Sequence, residues 1–244
     1  MALAIATNNA ALNAAASASS VNRDMETSMA RLSSGKRINS ASDDAAGVAI
    51  SSRLSAEIRG TDQAIRNSLD GQALIDTAEG AHKEIENILQ RMREVTIQAA
   101  NDTNNDQDRA NLQAEIEAMT TEIDRIAGTT TWAGADLMED ATTTFSFQVG
   151  AATGAKNQIS VTIETMNATG LGVGTGTASV VDVTDATKAN TGTGLIDAAI
   201  EDVNIQRSKL GAVSNRLNHT VNNLTNISSN LSAAKGGIED ADFA

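Results

Sequence analysis

The side chains most suited to metal or acid–base chemistry are few and isolated in this sequence. It contains two histidines, His82 and His219, and no cysteine, which excludes disulfides, thiolate metal sites and cysteine nucleophiles. Each histidine has polar neighbours in the sequence, and we expect both to be solvated on helix faces. A zinc-binding H-E-x-x-H motif is absent, because Lys83 and Glu84 follow His82. These residues predict no catalytic site.

Two segments resemble ligand-binding loops only in part. The stretch 102–108 alternates acidic and amide residues, as a calcium loop does, but Gln107 replaces the sharp-turn glycine and Gln113 the bidentate glutamate. We therefore interpret it as a capped turn between helices. The glycines between 170 and 176 lack GxGxxG spacing and a following helix pattern, so they indicate a flexible turn and not a phosphate cradle. We predict that the protein is not an enzyme and holds no cofactor.

The composition favours long helices and excludes several classes of partner. Of the 244 residues 41% are hydrophobic, yet only three are Phe, one is Trp and none is Tyr or Pro. Small aliphatic side chains suit closely packed helices, which no proline interrupts. A net charge of −13 disfavours binding to nucleic acid or to anionic membranes. The apolar runs are too short for a membrane span, and residues 1–20 lack the features of a secretory signal.

Helical periodicity dominates the first half of the chain. A thin, alanine-rich stripe near the start buries little area, so we expect it to be poorly ordered alone in water; it comprises Ala11, Ala14, Ala18, Val21, Met25 and Leu32. A stronger apolar face follows before residue 100, formed by Ala78, Ile85, Ile88, Met92, Val95 and Ala99. After the polar break, a third helix pattern extends from Leu112 to Ile126, with Gly128 as its expected C-cap.

The middle of the chain changes character before helical spacing returns. Residues 145–149 and 159–163 alternate apolar and polar side chains, which indicates half-buried strands. We expect residues 167–180 to be flexible. From Ile196 to Ile238, apolar residues recur every seven positions, as in helices packed like a coiled coil: Ile196, Val203, Leu210, Leu217, Leu224, Leu231 and Ile238. The predicted fold is mainly α, a rod-like bundle of long antiparallel helices with a small β-hairpin region in the middle segment.

Several strings resemble known signatures. LSSGKRINS at 32–40 with ASDDAAGVAIS at 41–51 is very similar to the N-terminal signature of bacterial flagellins. QAIRN at 63–67, LQRMRE at 89–94, and QAEI and EIDRI at 113–116 and 122–126 continue it, and RLN at 216–218 with IEDADF at 238–243 resembles the C-terminal region. The resemblance covers about residues 1–140 and 195–244.

The resemblance implies a structural subunit of the flagellar filament that serves motility. Residues 1–44 would form the N-terminal inner-tube helix and spoke, disordered in the monomer. Residues 45–140 would supply the first helices of the rod domain, 141–190 a β-hairpin and Gly/Thr-rich segment, and 191–244 its long C-terminal helix. The family leaves the cell through the flagellar type III export apparatus, so the implied location is extracellular, in the flagellum.

The resemblance also implies two interaction surfaces. Polymerisation would couple folding of the terminal helices to binding of neighbouring subunits, with contributions from Val21, Met25, Leu32, Gly35, Asp43 and Asp44. For the two aspartates, helix capping is an equal alternative. An animal innate immune receptor, Toll-like receptor 5, binds the outer helices of the family, and the matching residues are Leu89, Gln90, Arg91, Arg93, Glu94 and Glu115. A solvated helix face is the simpler interpretation of that patch.

Other interpretations fit less well. A hook–filament junction protein shares the terminal architecture, but the string DDAAGVAI at 43–50 favours a flagellin. A flagellin with an enzymatic insert would need a longer middle segment, and the N-terminal signature argues against a stand-alone coiled-coil adhesin. Flagellins continue past the IEDADF motif into a second inner-tube helix, which this sequence lacks after Ala244. We therefore expect the chain as given to polymerise poorly or not at all.

Overall fold

A computed structural model describes residues 8–139, 142–174 and 181–242. The described helices are α1 (Asn9–Ser34), α2 (Ala45–Ala99), α3 (Asp106–Thr129) and α4 (Ala186–Glu239). Two short strands, β1 (Thr131–Trp132) and β2 (Ala135–Asp136), precede a longer pair, β3 (Thr143–Gln148) and β4 (Gln158–Ile163), with a turn of 3-10 helix at Ala155–Asn157. The predicted class, mainly α with a small antiparallel strand region, is confirmed.

The chain divides into two compact units. Unit 1 comprises Met1–Asp62 and Thr225–Ala244, and unit 2 comprises Gln63–Leu224. Both α2 and α4 therefore contribute residues to each unit. The four segment boundaries predicted from the sequence stay a prediction, since these units group the chain by contacts and not by inner-tube and rod segments.

Three helices pack in unit 2 with alternating direction. Arg93 of α2 pairs with Asp197 of α4, and the hydroxyl of Thr193 donates to that of Thr96 at 3.1 Å. In these contacts the residue numbers rise along α2 as they fall along α4, so the two helices are antiparallel. The Arg91–Glu115 pair and the bond from the Arg109 side chain to the Ala99 carbonyl place α3 antiparallel to α2 in the same way.

The periodic positions form the core of unit 2. On α2 the buried side chains include Ala78, Ile85, Met92, Val95 and Ala99, as the helical spacing predicts. On α4 the heptad positions Ile196, Val203, Leu210, Leu217 and Leu224 are buried. Apolar side chains at these spacings face one direction, so the core supplies most of the stabilisation of the long helices.

The break between α2 and α3 is the capped turn that the sequence predicts. Asn105 is the N-cap of α3, and its side chain accepts a hydrogen bond from the Asp108 amide while the Asp108 carboxylate accepts from the Asn105 amide. The Asn104 side-chain amide donates to the Gln98 carbonyl at 2.6 Å. Amide and carboxylate groups here satisfy backbone groups that a helix end leaves unpaired. The prediction of Gly128 as C-cap is wrong, because Thr130 closes the helix through its backbone amide and its hydroxyl, both bonded to the Ile126 carbonyl.

The strands lie where the alternation predicts, with one addition. Strands β3 and β4 pair antiparallel with Phe145 opposite Val161, and β4 buries every second residue. The small β1–β2 hairpin was not predicted. Its two turn residues, Ala133 and Gly134, have φ of 51° and 83°, as two-residue hairpin turns require.

Two expectations about exposure are wrong. His82 has no exposed surface, because it lies on the same face of α2 as Ala78 and Ile85. His219, in contrast, is exposed as expected. The segment 167–174 is not a free turn, since Leu171 and Val173 are buried in the core. Residues 175–180, the rest of the stretch expected to be flexible, lie outside the described residues.

Candidate assembly and recognition surfaces

The most exposed apolar surface of unit 1 lies on α1. None of the 26 residues of this helix, all of them described, is buried. Val21, Met25 and Leu32 are 64%, 58% and 61% exposed, and Leu12 and Met29 are exposed to a similar degree. A helix packed on its own chain would cover such a stripe. The three predicted residues therefore share one face that has apolar surface left to bury.

The loop from Gly35 to Asp44 connects α1 to α2 and is closely held by local bonds. Gly35 ends α1 in a left-handed conformation, with φ of 70° and its amide bonded to the Arg31 carbonyl. One carboxylate oxygen of Asp43 accepts from the backbone amides of Asn39 and Ser40, at 2.9 and 2.8 Å. These backbone hydrogen bonds, that of Ser40 first, lower the pKa of Asp43, because they favour the ionised form.

The other aspartate of the pair caps α2. The Asp44 side chain accepts from the Gly47 amide at 2.9 Å, and its carbonyl accepts from the Val48 amide. A Cβ at Gly47 would lie 2.6 Å from both Asp44 Oδ2 and Ile38 Cδ1. A side chain at residue 47 would therefore force the ends of the Asp44 and Ile38 side chains to move. The capping alternative for Asp44 thus has a direct basis in the contacts, while its role in polymerisation stays a prediction.

The loop also binds the end of α4 within unit 1, a contact that sequence reasoning missed. The Arg37 guanidinium donates to the Ile238 carbonyl at 2.7 Å and the Arg37 amide to the Glu239 carbonyl at 2.7 Å. The Ala241 amide donates to the Gly35 carbonyl, and Lys36 pairs with Glu239 at 3.1 Å. Arg37 thereby satisfies carbonyls that the helix end leaves open. The only sign of this contact in the sequence was the opposite charge of Lys36 and Arg37 in the loop and of Glu239 at the end of α4. Charge alone does not identify a partner about 200 residues away.

A charged patch on α2 and α3 forms the second candidate surface, in unit 2. The Arg91 guanidinium donates to Glu94 at 2.9 Å and to Glu115 at 2.9 and 3.2 Å. These side-chain hydrogen bonds, with Glu94 first, raise the pKa of Arg91. The Arg93 guanidinium binds Asp197, and this bond raises the pKa of Arg93. The arginines and both glutamates keep 41–69% of their side-chain surface exposed.

The remaining two residues of the predicted receptor patch differ from each other. Gln90 is exposed and donates to Glu86 at 3.3 Å. Leu89 has no exposed surface, so the prediction that it forms part of a contact surface is wrong for its side chain in this fold. The helical spacing explains the burial, since Leu89 continues the face of Ile85 and Met92 into the core. It supports the patch from beneath.

The described residues do not form a metal centre or a membrane span. Among them, no group of three or more His, Asp or Glu side chains could hold a metal ion. None of the helices in 8–139, 142–174 and 181–242 is long and apolar enough to cross a membrane. An open groove between α2 and α3 includes Gly80, Ala81, Ile88 and Ile126, with the Glu122–Arg125 ion pair at its edge.

Comparison with known proteins identifies the family. The family model of the bacterial flagellin N-terminal helical region matches residues 5–144, and that of the C-terminal helical region matches residues 193–244. A flagellin of Halalkalibacterium halodurans is 44% identical over 90% of this chain and 79% of its own length. A flagellin of Bacillus subtilis (strain 168) is 43% identical over 97% of this chain and 87% of its own.

Solved structures agree with the fold. The crystal structure of Bacillus cereus flagellin, 32% identical, superposes with a TM-score of 0.53 over 70% of this chain and 94% of that one. A putative flagellar hook-associated protein from Vibrio parahaemolyticus gives a TM-score of 0.66 over 81% of this chain and all of that one, at 16% identity. The second likeness concerns the fold alone and does not favour the hook–filament junction alternative.

The long helices and the exposed apolar face of α1 are in keeping with a structural subunit that assembles. The chain belongs to the bacterial flagellins. It is a structural subunit of the flagellar filament, an extracellular appendage, its partners are other flagellin subunits, and it is not an enzyme.

Proposed function

We propose that the filament assembles by coupled folding and binding, with the exposed stripe of α1 as the surface that neighbouring subunits cover. The observation that carries the proposal is the exposure of Val21, Met25 and Leu32 on a helix without a buried residue. Full burial of such a side chain contributes about 1.5–3 kcal/mol. Contacts of this kind that do not close into a ring generate a helical filament.

The loop between Gly35 and Asp44 has a different part in this proposal. Its bonds to Ile238 and Glu239 tie the start of α2 to the end of α4 in the same subunit. These bonds fix the position at which α1 leaves the loop. Fewer conformations are then open to α1 before assembly, so it loses less conformational entropy when it binds a neighbour. We infer that Gly35, Asp43 and Asp44 act through this geometry and not by direct contact with a neighbour.

The assembly proposal is tested by replacing Val21, Met25 and Leu32 together with Ser. We expect the critical concentration for polymerisation to rise at least tenfold, because apolar burial of three side chains is lost. Ala30→Ser is the matched control, since Ala30 is exposed on the opposite side of α1. Pelleting over a concentration series in the presence of sheared flagellin filaments as seeds, with filaments identified by negative-stain microscopy, gives the critical concentrations. Equal values for the triple variant and the control would refute the proposal.

We also propose that the patch of Gln90, Arg91, Arg93, Glu94 and Glu115 binds Toll-like receptor 5. Its exposed arginines and carboxylates offer charge-assisted hydrogen bonds on a firm helical surface, and buried Leu89 holds the patch against the core. Arg91 already bridges two glutamates, so a receptor carboxylate would share the guanidinium with them.

The receptor proposal predicts that Arg91→Ala weakens binding to the immobilised receptor ectodomain by at least tenfold. Arg125→Ala removes a similar exposed arginine that pairs with Glu122, and it should leave the Kd unchanged. Both variants are compared with the unchanged chain by biolayer interferometry at one salt concentration. If Arg91→Ala binds as tightly as Arg125→Ala, the patch is a solvated helix face.

Finally, we propose that the chain reaches the cell exterior through the flagellar export apparatus, as the family resemblance implies. The lack of cysteine supports passage in an unfolded state, because no disulfide can close the chain before export. The chain should appear in the culture medium of a flagellated bacterium and stay inside an isogenic strain without a functional export gate. Equal release from both strains would exclude this route.

A further inference from the structure

A buried histidine lies inside the helical core of unit 2. His82 of α2 has no exposed surface, and neither of its ring nitrogens has a hydrogen-bond partner among the described residues. It shares its face with Ala78 and Ile85, both fully buried. An imidazole in such surroundings packs well only when neutral, because a buried charge without a partner is costly.

The groups around His82 oppose its protonation. The charged group that acts on it from α4 is Arg207, itself a cation. Lys83 and Glu84 adjoin His82 in the sequence, but both are exposed. The carboxylates about one helical turn before and after His82, Glu79 and Glu86, both bind the Arg207 guanidinium. They are therefore engaged with the arginine and neutralise it. Next to Arg207, the buried Gln206 donates to the Thr162 carbonyl of β4, which is uncharged.

Several charged groups on α3 have partners of their own. Glu122 and Arg125 pair with each other at the edge of the open groove, and the exposed Asp124 accepts from the Ala168 amide. Directly after β4, Glu164 pairs with the exposed Lys209 of α4. Each of these carboxylates is therefore already bonded to another group.

We propose that His82 is an acid-sensitive switch in the core of unit 2: it packs as a neutral side chain near neutral pH, and its protonation loosens the packing of α2 on α4. The contacts that would yield first are the Arg207 pairs with Glu79 and Glu86, because a second cation inside the core competes for the same carboxylates. This inference is independent of how the subunits assemble.

The direction of the pH effect follows from the same surroundings. Burial is the main cause that lowers the pKa of His82 to about 4; the nearby Ala78 carbonyl opposes the effect and Arg207 adds to it. The unfolded chain therefore binds more protons than the folded chain between about pH 6.5 and 4, the range between the ordinary pKa of histidine and that of His82 in the fold. The contribution of neutral His82 to stability is fully present above this range and is lost as the pH falls through it.

The first test compares the pH dependence of unfolding in the unchanged chain, His82→Leu and His219→Asn. Urea unfolding followed by circular dichroism gives the unfolding equilibrium constant at pH 7 and 4.5. Relative to His82→Leu, the unfolding constant of the unchanged chain should rise about a further 50-fold as the pH falls from 7 to 4.5. The exposed His219 is the matched control, and His219→Asn should follow the unchanged chain. Identical pH dependence in His82→Leu and the unchanged chain would overturn the proposal.

The second test needs no substitution in the core. Because the sequence holds only two histidines, proton NMR of the folded chain gives two sets of imidazole signals, and the His219→Asn variant identifies that of His82. The His82 signal should stay in its neutral position down to pH 5. A signal that titrates above pH 6 while the chain remains folded would contradict a buried switch.

Discussion

At the scale of single residues, the loop between α1 and α2 depends on two glycines for different reasons. Gly35 is required by its backbone, since φ of 70° is left-handed and costs other residues about 1 kcal/mol or more. Gly47 lies in a crowded place, because a Cβ there would lie 2.6 Å from side-chain atoms of Asp44 and Ile38, which would have to move. Both residues belong to the string that carries the family resemblance, so the signature has a physical basis in this loop.

This account predicts opposite effects for two Gly→Ala substitutions. Gly35→Ala should lower the local stability of the loop by about 1 kcal/mol, seen as faster hydrogen exchange at the Asn39 and Ser40 amides. Gly211 lies inside α4, where no heavy atom of the described residues lies within 4 Å of an added Cβ. Gly211→Ala should therefore raise the free energy of unfolding by up to about 1 kcal/mol. Unchanged loop exchange in Gly35→Ala would contradict the left-handed cap.

At the scale of elements, the sequence predicted the helix and strands whose apolar residues recur at a fixed spacing, and the turn that caps α3. The heptad of α4 and the alternation in β3 and β4 follow from side-chain direction alone, and the Asn/Asp-rich turn before α3 follows from its capping chemistry. The family resemblance supplied the remaining identification. These signals are local, so one sequence without relatives is enough to read them.

Features that depend on packing could not be predicted in this way. His82 has polar sequence neighbours, but its helical phase, shared with Ile85, decides its burial. Leu171 and Val173 lie among glycines that suggest a free loop, yet the core covers both. Leu89 lies on the same buried face of α2, although the other residues of the candidate receptor patch are exposed. In each case a long-range contact overrides local composition.

At the scale of the whole molecule, stability and assembly use different surfaces. The core residues of α2, α3 and α4 in unit 2 are buried within the chain, whereas the large apolar residues of α1 remain exposed. The chain has a net charge of −13, so neighbouring subunits repel each other at low salt. Apolar burial must exceed that repulsion, and α1 offers the surface for it.

Hydrogen exchange with mass spectrometry, on monomer and on polymer, tests this central claim most directly. In the monomer, peptides from 9–34 should exchange rapidly, while peptides from the α2 and α4 segments of unit 2 should be protected. In the polymer, peptides from 9–34 should gain at least tenfold protection and those of unit 2 should change little. Strong protection of 9–34 in the monomer, or none in the polymer, would contradict assembly through ordering of α1.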